Sequence, residues 1–125
     1  MIKTLKSKED FVCMEGASEE QIKEAERELG LTFSEDYKEY LAMFGAACAN
    51  GHEFTGIIKS QRLNVVDVTK NARDNNVFVP EDLYVLEEMN LDRIIIWQNY
   101  KGELFQTIGT SEPEKLDCSF DEFLG

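Results

Sequence analysis

The sequence predicts an α+β domain in which an N-terminal pair of helices packs on a mainly antiparallel sheet of four to six strands. Two capped amphipathic segments lie back to back between residues 18 and 45, and several short apolar runs follow them. A last capping sequence near the C-terminus predicts a short closing helix. At 125 residues and 42% hydrophobic content, residues 1–125 are expected to form one domain around one core.

The first predicted helix covers Glu19–Leu29. Ser18 is followed three residues later by Gln21, which is the spacing of a capping box. Apolar residues then recur at helical spacing, at Ile22, Ala25 and Leu29. Gly30 follows, and glycine is the residue that most often ends a helix.

The second predicted helix covers Glu35–Phe44. Ser34 is placed to cap its first turn, and Gly45 follows its last residue. One face of this helix is aromatic and apolar, with Tyr37, Tyr40, Leu41 and Phe44. That face is expected to be buried.

The remainder of the chain predicts a sheet with little helix. The expected strands are Phe54–Ile58, Leu63–Val68, Tyr84–Leu86, Arg93–Trp97 and Leu104–Ile108, with an edge strand at Leu116–Cys118. Arg93–Trp97 is unbroken in its apolar character, which suits a central strand covered on both faces. A short helix is expected from a cap at Asp67 through Arg73, and Ser119 with Glu122 forms the last capping box.

The predicted core draws on the helix pair and the two central strands. Its expected members are Ile22, Leu29, Phe33, Tyr37, Leu41, Phe44, Ile95 and Leu104.

The absence of a targeting or membrane segment predicts a cytoplasmic protein. The N-terminal residues are charged where a signal peptide would be apolar, and the longest uncharged run, Tyr40 to His52, is shorter than the ~20 residues that span a bilayer. Three widely separated cysteines, an odd number, do not form a disulfide pattern. They are expected to be reduced and mostly buried.

The charge balance excludes binding of nucleic acid through its phosphates and favours a basic partner. The net charge is −12, and residues 81–125 contribute −8 of it with 11 acidic and 3 basic residues. The alternative interpretation is that the acidic residues serve only to keep a small protein soluble.

Catalytic, cofactor and metal sites have little support in the sequence, so the protein is not expected to be an enzyme. His52 is the only histidine, and a dyad with Cys48 needs a helix through Asn50 and Gly51, which favour a turn. A zinc site from Cys13, Cys48, His52 and Cys118 lacks the closely spaced ligand pairs of structural zinc sites. No phosphate-binding glycine motif occurs.

The succession of these elements resembles the SUKH superfamily of bacterial immunity proteins, which are related to a fungal cell-wall regulator. The matching features are Leu29-Gly30 before the second helix, the DYKEYL segment from Asp36, and glycines at positions 51 and 56. RIIIWQNYKGELFQTIGT from Arg93 and SFDEFL from Ser119 continue the resemblance. Family members usually carry a proline just before the Asp-Tyr pair, where this chain has Ser34 and Glu35.

The resemblance implies an immunity protein that inhibits a cognate secreted toxin, most often a nuclease such as an RNase, by occluding its substrate groove. The toxin would belong to a polymorphic or contact-dependent inhibition system, and the free immunity protein is expected to be a monomer. The alternative is a regulatory adaptor that binds a cellular protein, as the fungal relative implies.

Charge and aromatic content select the expected partner-binding residues, which are Glu87, Glu88, Asp92, Trp97, Tyr100 and Glu103. Carboxylates can take the place of phosphates in a basic groove, and tryptophan and tyrosine are frequent binding anchors. For Trp97 the alternative role is a core or rim residue, because it ends the most apolar strand.

Overall fold

The computed structural model describes residues 1–89 and 91–125 and confirms the α+β class. The helices in this part of the chain are α1 Ile2–Lys6, α2 Glu19–Leu29, α3 Glu35–Phe44, α4 Val65–Asp74 and α5 Phe120–Leu124. The strands are β1 Val12–Cys13, β2 Ala47–Ala49, β3 His52–Glu53, β4 Tyr84–Glu88, β5 Ile94–Gln98, β6 Leu104–Ile108 and β7 Glu114–Lys115.

The strands form two antiparallel sheets rather than one. The first has the order β1-β2-β3 and the second has the order β4-β5-β6-β7. Just after β3, the backbone N–H of Thr55 donates to the carbonyl of Leu86 in β4 over 2.9 Å. This hydrogen bond joins the two sheets side by side.

Helices α2 and α3 have the predicted bounds, and their caps explain why. Ser18 Oγ accepts from the backbone N–H of Gln21 over 3.1 Å, and the Gln21 side chain accepts from the Ser18 N–H over 2.8 Å. Gly30 ends α2 in the left-handed conformation with φ 66°. Ser34 Oγ accepts from Tyr37 N–H and caps α3 in the same way.

The segment at residues 63–68 is the largest difference from the sequence prediction. Its β-branched residues predict a strand, but α4 begins at Val65 because Asn64 Oδ1 accepts the backbone N–H groups of Val66 and Asp67. The predicted cap at Asp67 is therefore three residues late. The apolar side of α4 packs on the second sheet, and this burial outweighs the weak strand propensity.

Two strand positions were also wrong. Residues 54–58 do not form a strand, since the β2–β3 hairpin ends at Glu53. The edge strand is Glu114–Lys115 instead of Leu116–Cys118. The second difference lies at a sheet edge, where few side-chain contacts fix the register.

The second sheet is covered on both faces, as the apolar character of β5 predicts. Tyr84, Leu86, Ile96 and Leu104 face the N-terminal helices, whereas Val85 and Trp97 pack with Val68 and Ala72 of α4. Of the predicted core residues, all except Ile95 are buried. Ile95 is half-buried because it lies on the α4 side, near an open cleft, while Ile96 points into the main core.

Thr55 connects the helix pair to both sheets. Its hydroxyl donates to the carbonyl of Val85 over 2.7 Å, so the Tyr37 hydroxyl donates to it over 2.8 Å. The Tyr40 hydroxyl donates to the Thr55 carbonyl over 2.9 Å. Burial raises the pKa of Tyr37 and Tyr40 above the ordinary range, and both stay neutral.

Candidate partner-binding surfaces

The expected binding residues do not form one site. Glu88 and Asp92 lie at the end of the second sheet where a hairpin joins β4 to β5. Tyr100 and Glu103 lie in the β5–β6 turn, which is at the opposite end because the strands are antiparallel. The two pairs are therefore separated by the length of the strands.

Trp97 is a core residue, which corrects its expected role as a surface anchor. Its side chain is fully buried and packs with Val68 and Val85. Its indole Nε1–H donates to Thr107 Oγ1 over 3.0 Å. A partner cannot reach Trp97 in this structure.

Glu87 is also buried, with 4% of its surface exposed, so it is not one of the exposed acids. The cause is a bulge in β4. Val85 pairs with Trp97 and Glu87 pairs with Ile96, so Leu86 is an extra residue and the side-chain alternation shifts by one position. Glu87 consequently points into the protein, where its Oε1 lies 2.8 Å from His52 Nδ1.

His52 and Glu87 form a structural pair between the two sheets. His52 lies in β3, not in a loop, and its ring stacks on Phe54 with the centroids 5.6 Å apart. Burial raises the pKa of Glu87, and the hydrogen bond to His52 offsets part of this rise. This hydrogen bond fixes the orientation of the His52 ring through its Nδ1 atom.

Glu87→Gln is expected to change how stability depends on pH. Because burial raises the pKa of Glu87 above 4.5, the folded protein holds this proton at pH values where the unfolded chain has lost it. The wild-type free energy of unfolding should therefore fall, relative to the variant, as pH rises from 4.5 through the raised pKa. The slope can reach about 1.4 kcal/mol per pH unit. Urea unfolding across this range measures it.

Glu112→Gln is the matched control, because it makes the same chemical change at an exposed position. Its unfolding free energy should run parallel to that of the wild type. If the unfolding free energy of Glu87→Gln also ran parallel to that of the wild type across this pH range, the pKa of Glu87 would be the same in the folded and the unfolded protein.

The hairpin end contains a cleft of about 440 Å³, here named the hairpin cleft. Its lining residues are Glu53, Thr55, Arg62, Leu63, Asn75, Glu88, Met89, Arg93, Ile94, Ile95, Gly109 and Thr110. Glu53 and Arg62 pair with each other over 2.9 Å, whereas no described residue forms an ion pair with Glu88. Desolvation raises the pKa of the Glu88 carboxyl. Asp92 is exposed in the hairpin beside this cleft.

The turn at the opposite end offers an exposed aromatic ring. Tyr100 is 52% exposed, and Lys101 Nζ lies 5.7 Å from the centroid of its ring. The Glu103 carboxylate accepts from Lys115 over 2.6 Å and from the Asn99 amide over 2.9 Å. The contact with Lys115 lowers the pKa of Glu103, so its charge already has a partner.

A groove of about 790 Å³ lies between α2 and α4, and none of the residues expected to bind a partner lines it. Four acidic residues line it, namely Glu20, Glu24, Glu28 and Asp67, together with the basic residues Lys23 and Arg27. The first three acids are four residues apart, which places them on one face of α2. This spacing was the available signal in the sequence.

Among the described residues, no hydrogen bond joins a cysteine to His52, whose Nδ1 atom contacts Glu87 instead. All three cysteines are free, and Cys13 is exposed on edge strand β1, which corrects the expectation that they are mostly buried. Asn50 and Gly51 form the predicted turn, with φ 52° and 79°. Burial raises the pKa of the Cys48 thiol. Among the described residues, no group of three His, Cys, Asp or Glu side chains is arranged to hold a metal ion.

None of the helices in the described residues is long and apolar enough to cross a membrane. No curated protein matches the chain. A solved structure described as "Crystal structure of protein from Pseudomonas syringae pv. tomato" is similar, with 18% sequence identity and a TM-score of 0.69. The match covers 94% of this chain and 90% of that one, and it shows a shared fold.

The family comparison covers almost the whole sequence. The model of the SUKH_5 family, described as SMI1-KNR4 cell-wall, matches residues 1–124. This match confirms the resemblance that the helix pair, the late hairpin and the closing helix indicate. The chain therefore belongs to the SUKH_5 family of SMI1-KNR4 proteins.

Proposed function

We propose that this protein is an immunity protein that binds a secreted bacterial toxin and inhibits it by occlusion. The observation that carries the proposal is the family match over residues 1–124. SUKH domains are generally not enzymes, and the family is consistent with an immunity role. The net charge of −12 suits a basic toxin, and we propose a nuclease that acts on RNA in a contact-dependent or polymorphic system.

The contacts that we propose are made by side chains that solvent reaches, which are exposed except for the half-buried Glu103. Glu88 and Asp92 at the hairpin end, and Tyr100 and Glu103 at the turn end, remain candidate contacts, whereas Glu87 and Trp97 are excluded by burial. The hairpin end is the stronger candidate because Glu88 has no described ion-pair partner, while Glu103 is paired with Lys115. A cation on the partner stabilises an unpaired carboxylate more than a carboxylate that must first give up the ion pair it already has.

The test is to co-express the protein with the product of the adjacent gene. The expected result is a stable complex that co-purifies and a loss of the toxicity that the gene product shows alone. Free protein should run as a monomer in light scattering. Toxicity that persists although both proteins are folded and present would contradict the immunity function.

Association kinetics test the electrostatic part of the proposal. The double substitution Glu88→Gln with Asp92→Asn should slow association, and raising salt from ~50 to ~500 mM should slow it for the wild type. Tyr100→Ala, in contrast, should speed dissociation if the turn contacts the toxin. The control is Glu112→Gln with Glu114→Gln, two exposed acids at the β7 edge. If the association rate changed neither with salt nor with either double substitution, the negative charge would serve solubility alone.

The alternative function is that of a regulatory adaptor for a cellular protein. The family description, SMI1-KNR4 cell-wall, favours it, since it mentions the cell wall and no toxin. An adaptor should bind a host protein reversibly, and it should give no protection against the product of the adjacent gene. The co-expression experiment therefore separates the two functions.

A further inference from the structure

We infer that the hairpin cleft is a pocket for an arginine side chain of the partner protein, with Glu88 as its carboxylate acceptor. This inference rests on the proposed function, which supplies a basic partner. It adds the place and the chemistry of one central contact. Three features of the molecule support it, namely the shape of the cleft, the lack of a protein partner for the Glu88 carboxylate and the acceptor groups around it.

The cleft has the size and lining of a binding pocket. Its volume of about 440 Å³ lies within the ~300–1,000 Å³ range of ligand sites. Leu63, Met89, Ile94 and Ile95 give it apolar walls. A narrower cavity of about 90 Å³ continues it toward Trp97 and Thr107. Asn75, Glu88, Ile95 and Gly109 line both cavities, so Glu88 lies where the two meet.

Glu88 is the carboxylate in this cleft that lacks a protein partner. It pairs across the sheet with Ile95, on the side of the sheet that α4 covers, and its carboxylate makes no hydrogen bond or ion pair with a described side chain. The side chain is exposed to solvent, and partial desolvation by the cleft raises its pKa. A partly desolvated carboxylate with no donor from the protein is stabilised when a cation arrives.

The neighbouring groups favour guanidinium over ammonium. The Asn75 amide donates through Nδ2 to the Asn71 carbonyl, which leaves its Oδ1 as an acceptor. Thr110 is exposed at the rim and adds a hydroxyl. A planar guanidinium has five N–H donors and an apolar face that packs on isoleucine, whereas an ammonium is a compact and strongly hydrated charge.

The two arginines in the lining do not fill this role. Arg62 is paired with Glu53. The Arg93 guanidinium packs against the backbone of Gly109. A Cβ atom added at Gly109 would lie 2.9 Å from Nη2 of Arg93. Arg93 forms no ion pair with Glu88 within 4.0 Å in the described structure. Both guanidinium groups thus leave the Glu88 carboxylate available.

The test uses the full protein and N-acetyl-arginine amide as the probe, followed by amide chemical shifts in NMR. We expect shifts confined to the cleft, at Glu88, Met89, Ile95 and Gly109, with a dissociation constant on the order of 10 mM. The lysine analogue should bind more weakly, and the neutral citrulline analogue should not bind, at matched ionic strength.

Glu88→Gln should weaken arginine binding about tenfold while the protein stays folded, because the position is exposed. Glu39→Gln, an exposed acid on α3, is the charge-matched control and should bind as the wild type does. The inference would be overturned if the lysine analogue bound as tightly as the arginine probe, or if Glu88→Gln and Glu39→Gln weakened arginine binding equally. Chemical shift changes centred on the α2–α4 groove would also overturn it.

The two proposals can fail separately. If the adjacent gene product binds but the probe does not, the cleft is not an arginine pocket and the immunity function stands. If the probe binds in the cleft but no toxin is neutralised, the pocket stands and the immunity function fails.

Discussion

Replacing Trp97 by alanine is expected to lower the free energy of unfolding by about 3 to 5 kcal/mol. The indole is fully buried between α4 and the second sheet, so its removal leaves a cavity beside Val68 and Val85. It also leaves the buried Thr107 hydroxyl without its donor. Urea unfolding followed by circular dichroism measures the loss, since the variant lacks the tryptophan needed for fluorescence.

Tyr100→Ala is the matched control for an aromatic residue only three positions away. Its ring is 52% exposed in the β5–β6 turn, so the unfolding free energy should change by no more than about 0.5 kcal/mol. A large loss at Tyr100 with a small loss at Trp97 would reverse the assignment of core and surface residue.

Leu41→Ala is expected to cost about 2 to 5 kcal/mol of stability. Leu41 is completely buried on the inner face of α3, within the main core that also contains Tyr37 and Phe44. The core is covered on all sides by helices and strands, which limits how far neighbours can move into the space. Denaturant unfolding measures the effect as a shift in midpoint with an unchanged slope.

Met43→Ala separates burial from helix propensity in this experiment. Met43 lies two residues further along α3 and is 53% exposed. Because both substitutions place alanine in the same helix, their propensity effects are similar and the difference reports the core. Equal unfolding midpoints for Leu41→Ala and the wild type would contradict the placement of Leu41.

The sequence predicted the fold well where its signals were local. The predicted first and last residues of helices α2 and α3 are correct because capping residues stand at their ends. Ser18 and Ser34 are the N-caps, and Gly30 and Gly45 are the C-caps. The segment at residues 63–68 was predicted wrongly because a β-branched run suits a strand or a buried helix, and only packing on the second sheet decides. Asn64 was the missed local signal.

The candidate site was predicted less well because exposure depends on register. Glu87 and Glu88 are adjacent and chemically identical, and composition treats them alike. Trp97 and Tyr100 are likewise close in sequence, yet one is buried and the other half-exposed. Nothing local to these residues shows where a strand gains an extra residue or where a turn begins. The α2–α4 groove was missed because it joins two elements that are distant in sequence.

The bulge at Leu86 places the neighbouring side chains of Glu87 and Glu88 in different environments. A β4 strand that kept the same residues but ran without the bulge would pair Leu86 with Ile96 and Glu87 with Ile95. Glu87 would then face the cleft, and Glu88 would turn toward the main core. Removing Leu86 itself would leave both glutamates opposite their present partners. The extra residue therefore decides which of two identical neighbouring side chains is buried and which is available to a partner.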